Sequence, residues 1–167
     1  EYLQSFTNAP FLVNISSTDI NKGMFLKDKS GIPLVVDHFS SELKRFSDKG
    51  VKPSLTKSHS NQNGSFKTVF SLLTEKYLDD AYSPKLVAPQ CGLKEEQIIS
   101  LAEEIASTAF NNAIHIDQDW VDFRGEKRSG FIGRPVSFHA MRGISAHSNG
   151  FQTCRAIHLL QIIIGSV

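Results

Sequence analysis

The residues best suited to chemistry fall between Phe138 and Arg155, in the run FHAMRGISAHSNGFQTCR. Its pattern is a strand ending, a polar glycine-containing loop, and a helix starting at Ser148-Asn149-Gly150. In α/β folds, ligands gather at such junctions, outside the carboxyl ends of strands. The first turn of a helix carries amides with no intrahelical acceptor and the positive end of the helix dipole, which suits an anion, usually a phosphate. Arg142, His147 and Arg155 add donors matched to phosphate or carboxylate oxygens. Two readings stay open at this point: an anion-binding helix start, and an ordinary capped helix with exposed polar residues. The loop has no G-x-G-x-x-G fingerprint and no P-loop, so a dinucleotide site of the usual kind is not supported. No G-x-S-x-G elbow anchors hydrolase chemistry.

Other constellations are weaker. His115, Asp117, Asp119 and Asp122 hold oxygens and a nitrogen suited to a cation, but their spacing is not that of an EF-hand. Arg124, Lys127 and Arg128 interleave with them, as in a solvated charged loop. Cys91 and Cys154 stand far apart with no CxxC pair, so no zinc site, iron–sulfur cluster or dithiol motif is read, and both are expected to be small buried hydrophobes. Trp120 is expected to be buried. His38 and His59 lie in separate polar segments, and His158 falls inside the last helix.

The elements that must position these residues follow from periodicity. Short apolar runs at 11–15, 24–26 and 32–37, separated by Ser-Ser-Thr-Asp, Asn-Lys-Gly and Lys-Ser-Gly clusters, predict a small antiparallel meander. Residues 40–64 are polar, and 59–64 read as a loop. Phe66, Val69, Phe70, Leu72, Leu73 and Tyr77 recur at helical spacing behind Ser65 as N-cap. Pro84 opens a short helix that Gly92 closes. A longer helix runs from about Lys94 to Thr108, with Ile98, Leu101, Ala102, Ile105 and Ala106 as its buried stripe. Residues 113–116 predict a strand, 117–133 a charged loop, and 135–141 another strand before the final helix. This order predicts an α/β fold: a Rossmann-like, partly parallel sheet with flanking helices over 65–167, after a β-rich segment and loop over 1–64.

Composition excludes some classes. The 18 basic and 17 acidic residues leave a net charge of +1, so no polyanion-binding surface and no nucleic-acid partner is indicated. No signal peptide is seen, and Ile162-Ile163-Ile164 is far too short an apolar run to span a membrane. The chain begins at Glu1 without a methionine and stops just after an apolar segment, from which we expect an internal piece of a longer protein.

The segment GRPVSFHAMRGISAHSNGFQTCRAIHLLQIIIGSV resembles catalytic subunits of the molybdopterin oxidoreductase (dimethyl sulfoxide reductase) superfamily. It is most similar to the branch of sulfite dehydrogenases and thiosulfate, polysulfide or tetrathionate reductases. TVFSLLTEKYLDDAYSPKLVAPQCGLKEEQIISLAEEIA and EYLQSFTNAPFLVN resemble further passages of that family, so the likeness covers most of the chain. It implies a larger multidomain parent that binds molybdenum between two molybdopterin guanine dinucleotides, with a [4Fe–4S] cluster and the metal ligand outside this region. It also implies, as partners, the rest of the catalytic subunit, an iron–sulfur subunit, and a membrane anchor subunit. Against the family pattern Gly-x-Thr-Gln-His-x-x-Gly-x-Gln, this chain has Gly143, Ser145, His147, Gly150 and Gln152, with Ser145 for threonine. Ala146 stands where glutamine is frequent, which puts one polar cofactor contact in doubt. Arg142, Asn149 and Arg155 join these as implied cofactor contacts, and no catalytic residue is assigned. The expected function is oxygen-atom or electron-pair transfer on a small sulfur-containing substrate by the parent. The 167-residue piece is expected to be inactive and to hold no cofactor unaided. The alternatives are a structural α/β domain and a small phosphate-ligand binding domain.

Overall fold

A computed structural model describes residues 1–16, 19–62 and 64–166. Ser17 and Thr18 of the first turn cluster, Asn63 of the expected loop and the terminal Val167 lie outside the described residues. The chain forms two compact units, residues 1–83 with 123–126, and residues 84–122 with 127–167. The segment boundary expected at 64/65 lies within the first unit.

In the first unit, α1 (Tyr2–Ser5) leads to β1 (Leu12–Asn14), followed by β2 (Leu34–Val36), β3 (Leu43–Arg45), β4 (His59–Asn61) and β5 (Gly64–Thr68). β1, β5 and β4 form an antiparallel sheet in that order, with Leu12 opposite Thr68 and His59 opposite Phe66. β2 and β3 make a separate antiparallel pair with Val36 opposite Leu43. The expected meander of the runs 11–15, 24–26 and 32–37 survives only as isolated antiparallel bridges, Val13 to Phe25 and Lys27 to Pro33, and residues 59–61 are a strand and not a loop. Leu12, Val36 and Phe66 form the core, with Leu26 and Leu43 packed against it. Period-2 alternation explains the choice: Phe66 and Thr68 face inward while Ser65 is exposed.

The helix expected behind Ser65 therefore starts later. α2 (Val69–Tyr77) is capped by Thr68, whose hydroxyl oxygen accepts from Ser71 N at 3.1 Å. The same buried hydroxyl donates to Leu55 O, so one side chain ends a strand, starts a helix and ties down a loop. A second polar centre is Asp37, which is buried. Its carboxylate accepts from the amides of Phe39 at 3.0 Å, Ser40 at 2.9 Å and Lys52 at 3.2 Å, and lies 3.6 Å from Lys44 Nζ. The Ser40 and Lys52 amides hold its pKa far below the ordinary carboxylate range, against the opposing effect of burial. Asp28 is lowered too, first by the Ile32 amide, and Asp19 first by the Asn21 amide.

Residues 123–126 complete this unit. Arg124 Nε donates to Phe46 O at 2.9 Å, and its guanidinium lies 4.6 Å from the ring centroids of both Phe46 and Phe123. Glu126 accepts from Gly50 N at 2.8 Å.

In the second unit, α3 (Pro84–Val87) is followed by α4 (Glu95–Asn111), with Gly92 between them at φ 68°, the left-handed conformation that ends the short helical segment. Gln97 accepts from Lys94 N at 2.9 Å at the start of α4. Then come β6 (Ile114–Ile116), β7 (Trp120–Val121), β8 (Lys127–Arg128), β9 (Phe131–Gly133) and α5 (Gly150–Ile164). β6 pairs with β9 and β7 with β8, both antiparallel. Mixed α/β content is as expected, but every strand pairing among the described residues is antiparallel, so the partly parallel sheet is not found there. The segment 117–133, expected as a charged loop, holds three of the strands. Asp122 is buried and takes Arg128 Nε at 3.1 Å and Nη2 at 3.0 Å on one oxygen, closing the β7–β8 hairpin.

Residues 135–141 form no strand. Pro135 lacks an amide for a ladder, and the preceding Arg134 is anchored elsewhere, donating to Ala109 O at 3.0 Å and lying 4.8 Å from the Phe110 ring centroid. The stripe expected to be buried on α4 is largely open: Leu101, Ala102 and Ala106 are exposed, Ile98 and Ile105 half-buried, and only Ala109 is buried. Cys91 is exposed and Cys154 half-buried, against the expectation for both. Trp120 is half-buried, and its indole N–H donates to Gly130 O at 3.0 Å.

Candidate functional site

The candidate site is built from the start of α5 and the short 3-10 turn before it, Arg142–Ser145. Arg142, Gly143 and Ser145 lie on that turn, His147 on the connection, Asn149 at the N-cap, and Gly150, Gln152 and Arg155 in the first turns of α5. Gly150 is the pivot. It is buried, and a Cβ there would stand 2.2 Å from the Ser145 carbonyl oxygen, so the turn can rest on the helix start only if this residue has no side chain. Gly150 N donates to His147 O at 2.9 Å, which folds the loop back onto the helix. Gly143 has open space around it, and no close approach requires glycine there.

The helix start leaves donors open. Asn149 makes no side-chain cap bond. The first intrahelical pairing is Thr153 N–H to Asn149 O at 2.9 Å, and no backbone carbonyl among the described residues accepts from the amides of Phe151 and Gln152. Side chains are partly committed. Ser145 Oγ donates to Arg142 O at 2.9 Å, leaving lone pairs and no proton for a ligand. Arg155 Nη1 donates to Gln152 Oε1 at 3.2 Å, and other guanidinium N–H groups remain on the same fork. Arg142, His147 and Arg155 are exposed, as is His139 in the irregular segment upstream.

Charge distribution supplies a signal that local motifs did not. All 17 acidic residues lie at or before Glu126, so residues 127–167 carry Lys127, Arg128, Arg134, Arg142 and Arg155 with no carboxylate side chain. A net charge of +1 for the whole chain hides this asymmetry. The helix start therefore stands in a stretch of sequence whose only formal side-chain charges are positive.

The donor set of amides, guanidinium groups and an imidazole fits the phosphate end of a nucleotide-bearing cofactor. It offers no cluster for a metal: among the described residues no three His, Cys, Asp or Glu side chains converge. His115, Asp117, Asp119 and Asp122 do not come together in such a cluster, and Asp122 is turned to Arg128. Open cavities lie elsewhere, about 370 Å³ beside Trp120 and Arg128, and about 340 Å³ among Phe6, Phe11, Phe46 and Phe123. Among the described residues no helix is long and apolar enough to cross a membrane.

No family model matches the chain, and no solved structure matches it. Among curated proteins, a sulfite dehydrogenase subunit of Allochromatium vinosum is 31% identical over 179 aligned residues. That alignment takes in 100% of this chain and 18% of the relative, so along its whole length the chain is similar to a limited part of a sulfite dehydrogenase subunit.

Proposed function

We propose that the chain is a segment of the catalytic subunit of an oxidoreductase that acts on a small sulfur compound, and that it forms one wall of a molybdopterin guanine dinucleotide site. The carrying observation is the 31% identity to a sulfite dehydrogenase subunit, sustained over the entire chain. The open amides of Phe151 and Gln152 and the carboxylate-free stretch from 127 onward support an anion at the start of α5.

In this reading the bound cofactor and its molybdenum supply the redox chemistry, and the chain supplies binding and orientation. Arg142 and Arg155 bind phosphate oxygens with charge-assisted hydrogen bonds. The Phe151 and Gln152 amides hold the same group by its oxygens, and His147 donates from the connection. Asn149 and Gly150 set the helix start that presents these amides, while Gly143 and Ser145 shape the turn. Further parts of the catalytic polypeptide, an iron–sulfur subunit, and a membrane anchor belong to the same reading.

The test is molybdenum and pterin content of the longer protein, purified anaerobically, for wild type and His147→Ala. Metal and pterin in the wild type, with lowered occupancy in the variant, support the proposal. Neither group in the wild type removes the cofactor reading. Unchanged content and turnover in the variant remove His147 from the cradle.

A further inference from the structure

The second unit leaves apolar surface open on both of its long helices. On α4, apolar residues occupy half of the helix circumference, and Glu96, Ser100, Glu103, Glu104 and Ser107 occupy the other half. Only the edge through Ala109, with Ile98 and Ile105 beside it, is used within the unit. The adjoining stripe Ile99, Ala102, Ala106 and Phe110, spaced three, four and four residues apart, is exposed.

The last two turns of α5 go further. Leu159-Leu160-Gln161-Ile162-Ile163-Ile164 is apolar all round except at Gln161, the composition of a helix enclosed on every side. Ile164 is buried, yet Leu160 is 44% and Ile163 50% exposed.

The total surface gives the scale. The chain exposes 11522 Å². A single 18.5 kDa globule would expose about 8,200 Å², and two half-sized globules sharing no surface about 9,900 Å². Even against the larger figure the excess is roughly 1,600 Å². One partner in a standard protein–protein interface contributes only about 800 Å². The chain spans 18% of its relative, so a protein of that length has polypeptide enough to cover these faces.

We propose that the Ile99–Phe110 stripe of α4 and the Leu159–Ile164 turns of α5 are interior surfaces, seated against flanking segments of the same, longer polypeptide. This rests on the proposed function only in taking the chain as part of a larger protein, and it is independent of the cofactor.

The experiment is hydroxyl-radical footprinting of the native protein, purified from its source with an antibody raised to this chain. Its polypeptide mass is read alongside. Buried Phe66 and the 79% exposed Phe39 serve as internal references. The expected result is a polypeptide several-fold heavier than 18.5 kDa, with Phe110, Leu160 and Ile163, each rate normalised to the intrinsic reactivity of its residue type, as protected as Phe66 and released to the protection level of Phe39 on unfolding. Normalised labelling of these three at the level of Phe39 in the native protein overturns the proposal. Protection in an 18.5 kDa chain that sediments as a dimer overturns it in favour of a second copy. Molybdenum measured on the same sample reports on the redox proposal separately, so either can fail alone.

Discussion

Replacing Gly150 with alanine sets two known effects against each other. Alanine is favoured over glycine inside a helix by up to about 1 kcal/mol. A Cβ at this position, however, would stand 2.2 Å from the oxygen, 2.5 Å from the carbon and 2.7 Å from the Cα of Ser145. A comfortable carbon–oxygen approach is about 3.3 Å, so turn and helix must part by roughly 1 Å. The obstacle is backbone, which cannot swing aside as the tip of a lysine would. Overpacking of this kind costs about 1–3 kcal/mol. The clash wins, and Gly150→Ala should destabilise the helix start by roughly 1–2 kcal/mol. Such a loss lowers the closed-to-open ratio about 5- to 30-fold. Native-state hydrogen exchange of the amides in the first two turns of α5 reads this directly. Exchange at or below the wild-type rate, or a urea midpoint at or above wild type, would refute the reasoning.

The remaining predictions concern other levels of the molecule. Thr68→Val keeps the shape but removes the α2 cap and strands Leu55 O, and should cost about 1–3 kcal/mol in urea unfolding. Leu12→Ala opens the centre of the first unit's core and should cost about 2–5 kcal/mol by the same measurement. Asp19, Asp28 and Asp37 all have depressed folded-state pKa values, so their contribution is complete above the unfolded carboxylate value near 3.9 and is lost as pH falls through the lower folded values. A pH series of unfolding midpoints should be flat in these groups from about pH 5 to 7 and fall below about pH 4, with Asp37→Asn flattening the fall. Arg142→Ala in the longer protein should weaken cofactor retention roughly 10- to 100-fold on gel filtration, the size of one charge-assisted hydrogen bond.

The sequence makes some elements legible and hides others for identifiable reasons. α4, α5 and the Gly92 stop are readable because long periodic runs and a left-handed glycine are local signals. Residues 65–68 read as helix because Phe66 satisfies both a helical period with Phe70 and a strand period with Thr68. Pairing with β1, distant in sequence, decides for the strand. The strands inside 117–133 escape notice because β7 and β8 have two residues each, and the charged residues of β8 and of the segment between them resemble a solvated loop. At the candidate site, the helix start and its basic residues are visible. The close approach of Ser145 to Gly150 is not, since it depends on how the turn folds back. The apolar stripe on α4 is legible as a face that seeks burial, but burial within the second unit uses only its edge.

The first unit is discontinuous, and this orders events in time. Its last piece, residues 123–126, arrives only after the polypeptide has been made through 84–122. A ribosome that has just released Ser83 has exposed the Phe46 ring without the arginine that later covers it. Closing the gap means bringing distant parts of the chain together, an entropic cost that grows only slowly with the length between them. Nascent chains halted before and after residues 123–126 have left the ribosome should therefore differ in protease resistance around Phe46, and no single cut in the polypeptide yields the first unit free of residues 84–122.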